Sequence, residues 1–71
     1  MRKIFAERLK EARLAAGLTR PKLAEKSGVA KNSIFQYEHG MFMPSLAVAI
    51  ILAETLDVSL DWLVGRSAYV R

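Results

Sequence analysis

The stretch LTRPKLAEKSGVAKNSIFQYEHG, Leu18 to Gly40, decides the fold. Thr19 can accept hydrogen bonds from the orphan N–H groups of a first helical turn. Pro21 falls inside that turn, where its missing donor costs nothing. Leu23 and Ala24 make an inward face, and Gly28 stops the helix after Ser27, about two turns from its start. A second helix begins after Val29 and runs to Glu38, with Gly40 as its stop. The centre of the chain is therefore two short helices around one tight glycine turn.

The flanks read the same way. Upstream, Ile4, Phe5, Leu9, Ala12 and Ala16 recur at helical spacing with charged residues between them, and Gly17 ends that first helix. Downstream, Pro44 and Ser45 open a fourth helix that runs to about Leu56. Its core stripe is expected at Leu46, Ala49, Ile50, Ala53 and Leu56. Asp57-Val58-Ser59 is a break, Leu60–Val64 a short fifth helix, and Gly65 its end. Alternating strand patterns and Asn-Gly or Asp-Gly turns are absent. The expectation is an all-α, compact five-helix domain over residues 1–66. A tail over residues 67–71 has no strong pattern and is expected to fray.

Bulk properties bound the function. Seventy-one residues with 52% apolar content make one small ordered domain. With no cysteine there is no disulfide framework or thiolate chemistry. One histidine and scattered acids give no metal site, and no paired carboxylates suggest an enzyme. The run from His39 to Ala53 is too short for a bilayer span and contains Pro44. The charged amino terminus does not read as a signal peptide, so a cytoplasmic protein is expected. Charge is uneven. Residues 1–31 carry nine Lys/Arg and three Glu, whereas residues 32–71 carry two Arg and four acids. A basic half beside a mildly acidic half suggests one surface that meets a polyanion.

The second central helix carries the chemistry. On a helical wheel Lys31, Asn32, Phe35 and Gln36 fall within an arc of roughly 140°, with Ile34 and Tyr37 on the far side. One face suits a core, and the other offers two amides and an ammonium. Asn and Gln pair bidentately with adenine, lysine favours guanine acceptors or phosphate, and Phe35 can touch a thymine methyl. Two short helices with this division of labour have the form of a helix-turn-helix.

The chain from Phe5 to Gly65 resembles the Cro/repressor-type (lambda-repressor-like) helix-turn-helix family of DNA-binding transcriptional regulators. The residues that carry the resemblance are Gly17-Leu18-Thr19, Leu23-Ala24, Gly28-Val29, Ile34, Tyr37-Glu38, Gly40, Pro44 and Trp62-Leu63. The resemblance implies that Lys31, Asn32, Phe35 and Gln36 meet bases of double-stranded DNA. It implies phosphate contacts from Thr19, Arg20, Lys22, Ser33 and His39, and a structural ion pair between Arg13 and Glu38. It also implies a homodimer reading a palindromic operator, with no cofactor and no small-molecule ligand. Interface candidates are Ile51, Leu60, Trp62 and Tyr69. The alternative is a protein-interaction module on the same fold with little or no DNA binding.

Two positions depart from the pattern. Ala30 stands where many members carry a Ser or Thr cap for the third helix. In the loop HGMFMPS, His39–Ser45, Met41 and Phe42 replace the basic residues many members place against phosphate. Met43 is expected to fold back on the core, and Phe42 to be exposed or to meet a second chain.

Overall fold

Each helix ends at the stop its sequence carries, just before Gly17, Gly28, Gly40, Asp57 or Gly65. The computed structural model describes residues 1–71. Helix α1 spans Arg2–Ala15, α2 Arg20–Ser27, α3 Lys31–Glu38, α4 Leu46–Leu56 and α5 Leu60–Leu63. There are no strands, so the expected all-α, five-helix fold holds. Hydroxyl caps start three of the helices. Thr19 accepts from Lys22 N–H, Ser45 from Val48 N–H and Ser59 from Trp62 N–H. Ala30 supplies no such bond to α3.

The turn between α2 and α3 is wired from both sides. Gly28 takes φ 77°, a left-handed conformation that an L side chain resists, and its N–H donates to Ala24 O. The Ser27 hydroxyl donates to Leu23 O at 2.7 Å and accepts from Val29 N–H at 3.1 Å. This fixes the direction in which α3 leaves α2.

The core draws on every helix. Phe5 and Leu9 of α1, Leu23 of α2, Ile34 of α3, Leu52 of α4 and Leu63 of α5 are fully buried. Leu18, Tyr37, Met43, Val48 and Leu60 close around this cluster. Met43 thus packs inward as expected. In α1 the buried face is Phe5, Ala6, Leu9, Ala12 and Arg13. Ile4 lies at its margin and Ala16 outside it.

The expected face of α4 is corrected. Its buried residues are Ala49, Leu52, Ala53 and Leu56, whereas Leu46 is 68% exposed and Ile50 also faces outward. The run LAVAIILA is apolar on every side, so its periodicity carries no phase. Packing against α2 and α5 sets the rotation instead.

The tail also differs from expectation. Ser59 N–H donates to Val70 O, the Ser59 hydroxyl donates to Tyr69 O, and Arg71 pairs with Asp57 at 2.9 Å. The Arg8 guanidinium donates to Ser67 O. These bonds return residues 67–71 to the body of the domain.

Asp57 ends α4 in the left-handed region, φ 56°, where glycine is the usual residue. Its carboxylate also sits at the negative end of the helix dipole. Its ion pair with Arg71 is exposed and contributes little. Asp57→Gly is therefore expected to raise stability by about 0.5–1 kcal/mol, read as a higher urea midpoint at unchanged slope.

Candidate nucleic-acid interface

Helix α3 is anchored by one face and leaves the other in solvent. Ile34 and Glu38 are buried, and Tyr37 packs edge-on to Phe5 with ring centroids 6.1 Å apart. Opposite them, Lys31 and Asn32 are exposed and Gln36 is half-buried. The four expected base-reading residues thus lie together on the outward face. Phe35 is less free than the others. It is 44% exposed, its ring stacks on His39 at 4.0 Å, and the Arg20 guanidinium lies 5.3 Å from its centroid.

A buried ionic cluster holds this helix. Arg13 Nε donates to Glu38 Oε2 at 2.7 Å and Arg13 Nη2 to Glu38 Oε1 at 3.1 Å, a bidentate pair. Arg13 Nη1 adds a bond to Leu18 O at 2.9 Å. Arg20 then joins from α2, its Nε donating to Glu38 Oε1 at 3.0 Å. One carboxylate ties α1, α2 and α3 together. The Arg13–Glu38 strut was implied by the resemblance; the third member was not. Arg20's terminal nitrogens carry no protein hydrogen bond, and its side chain remains 30% exposed at the start of α2.

The other expected phosphate contacts stand at the start of α2, within α3 and just after it. Thr19 is exposed, with its oxygen accepting from Lys22 N–H. The Lys22 ammonium is exposed and only loosely paired with Glu25, at 3.8 Å. Ser33 is half-buried. His39 Nδ1–H donates to Phe35 O at 2.8 Å. The neutral ring then offers Nε2 only as an acceptor, so a bond from Nε2 to phosphate requires the imidazolium.

A helix-turn-helix family profile matches residues 9–63 of the chain. The chain belongs to the helix-turn-helix family. Among solved structures, it is similar to the restriction-modification controller protein C.AhdI from Aeromonas hydrophila. That match has a TM-score of 0.82 and 34% identity, covering 87% of this chain and 94% of that one. It is 37% identical to the HTH-type transcriptional regulator ImmR of Bacillus subtilis, over 87% of this chain and 49% of that protein. It is 34% identical to the cryptic phage CTXphi transcriptional repressor RstR of Vibrio cholerae, over 87% of this chain and 55% of that protein. The chain spans about half the length of these curated relatives.

Around the helix-turn-helix, the loop after α3 is as apolar at its surface as its sequence. Met41 is 49% and Phe42 54% exposed, which meets the expectation for Phe42. Of the interface candidates, Ile51 and Tyr69 are exposed and Leu60 is half-buried against the core. Trp62 is a correction. It is 5% exposed and belongs to the core of its own chain, under the Arg8 guanidinium. A four-residue helix is too short for sequence spacing to tell inside from outside. Sequence reasoning also missed Arg8, which bonds to Trp62 O and Ser67 O across more than fifty residues of chain. No local spacing signals such a contact. No helix is long and apolar enough to cross a membrane.

Proposed function

We propose that the chain is a sequence-specific double-stranded DNA-binding transcriptional regulator, a dimeric repressor that reads a palindromic operator through the major groove. The observation that carries this reading is the division of α3. Its inner face is locked by Ile34 and the Arg13–Glu38–Arg20 cluster, while Lys31, Asn32 and Gln36 stand together on the outer face. A rigid support with outward amides is what bidentate base recognition requires. The transcriptional regulators and repressor among the relatives support the same reading. In a dimer, two copies of α3 would meet half-sites about 34–36 Å apart. Exposed Ile51 on α4 is the contact favoured for that dimer, and the cytoplasm is its expected compartment.

Selection of bound duplexes from a random pool, followed by binding of Gln36→Ala to the selected site, tests the reading. The selected site is expected to be a palindrome. Gln36→Ala is expected to lose about 1–3 kcal/mol on that site and almost nothing on unrelated duplex. Equal losses on both would remove Gln36 from base reading. The exposed Met41, Phe42 and Leu46 favour a second reading, a protein-docking module on the same fold. Absence of salt-dependent DNA binding, together with a tight protein complex, would establish that one instead.

A further inference from the structure

A cleft of about 580 Å³ opens between the first turns of α1 and the end of α3, lined by Arg2, Lys3, Glu7, Glu38 and His39 among others. Its charge is lopsided. Glu38 is already held by Arg13 and Arg20, which leaves Glu7 alone against Arg2 and Lys3. Arg2 and Lys3 are both exposed. Arg2 Nη1 donates to Met41 O at 3.3 Å, which seats the start of α1 on the loop that follows α3. The Phe5–Tyr37 contact and the Arg13–Glu38 pair hold the rest of α1 along α3, so this placement is not a matter of one long side chain.

That loop is where a groove-bound α3 would run out towards the flanking phosphates, yet it contains no lysine or arginine from His39 to Ser45. His39 is engaged with Phe35 O through Nδ1. We infer that Arg2 and Lys3 form the phosphate-binding site on this flank, with the start of α1 supplying the cations that the loop lacks. The ligand is a backbone phosphate of double-stranded DNA beside the end of α3. The Arg2 guanidinium keeps free N–H groups beyond the one on Met41 O, in a fork suited to phosphate oxygens. Lys3 adds an unpaired ammonium. Such contacts position the protein and raise affinity on any sequence without selecting bases.

This inference rests on the DNA-binding reading, and its test separates the two. Binding of the full chain to a short random-sequence duplex is followed across a salt series. The double variant Arg2→Gln, Lys3→Gln is expected to lower the log–log salt slope by about 0.9 for each phosphate that is no longer neutralised, roughly 2 in all. Affinity should fall alike on every duplex, and Arg2→Lys with Lys3→Arg should restore it. An unchanged slope overturns the inference and leaves the DNA-binding reading standing. Wild-type protein without salt-dependent binding overturns both. If the double variant loses helicity, Lys3→Gln decides alone, because the Lys3 side chain makes no hydrogen bond to the fold: a slope lower by about 0.9 supports the site, and no change removes it.

Discussion

Glu38→Ala is expected to cost about 3–5 kcal/mol of folding free energy, the loss typical when one partner of a buried ion pair is removed. The Arg13 side chain is 7% exposed and Arg20's is 30%, while the Glu38 carboxylate is sealed. Without the carboxylate, Arg13 keeps its positive charge inside the protein with only Leu18 O as a hydrogen-bond partner. Arg20 can swing towards water; Arg13 cannot do so without opening the packing between α1 and α3. At about 0.05–0.15 kcal/mol per residue, a chain of this length has roughly 4–11 kcal/mol of stability, so the loss is a large share of it. Urea melts check the value. The ranking across the cluster is a sharper check. Glu38→Ala should be worst, Arg13→Ala intermediate because Arg20 still faces the carboxylate, and Arg20→Ala mildest because its charge is partly solvated. Equal losses at Arg13 and Arg20 would show that the cluster does not have the asymmetry its burial implies.

Some features of the fold were legible in the sequence, and the cluster's third member was not. Helix limits were legible because Gly17, Gly28, Gly40, Pro44 and Gly65 each restrict or release the backbone in a way few residues can. Gly65 shows how tightly this holds: its φ is 88°, and a Cβ there would stand 2.8 Å from the Ile4 side chain. The outer face of α3 was legible because Ile34 and Tyr37 oppose Lys31, Asn32 and Gln36 on one wheel. By contrast, the rotation of α4 was hidden by its uniformly apolar first two turns. Arg20's tie to Glu38 was hidden for another reason. A long cationic side chain can serve a phosphate and a carboxylate from one backbone position, and sequence spacing does not rank the two. The bond from Arg2 to Met41 O joins the start of α1 to the loop after α3, and it forms only once the core is assembled.

Trp62→Ala is expected to destabilise the domain itself by about 3–5 kcal/mol. The ring is buried among the α1, α4 and α5 contributions to the core, and the Arg8 guanidinium carbon lies 5.0 Å from its centroid. Cutting it back opens a cavity and removes a cation–π interaction of about 0.5–2 kcal/mol. It also leaves Arg8 without the surface it lies on, although Arg8 still holds Ser67 O. An interface residue would behave otherwise. Its removal would appear as dissociation, and the effect on melting temperature would depend on protein concentration. For Trp62→Ala the fall in Tm should be the same at dilute and high concentration, and Trp62→Phe should recover much of it by refilling the site. Ile51→Glu supplies the contrast, since Ile51 is 40% exposed. It should lower the sedimenting mass of any dimer formed through α4 while leaving the melting temperature of dilute protein nearly unchanged. If Trp62→Ala instead split a dimer and left the dilute melt intact, the indole would have to lie between two chains, against the burial seen within one.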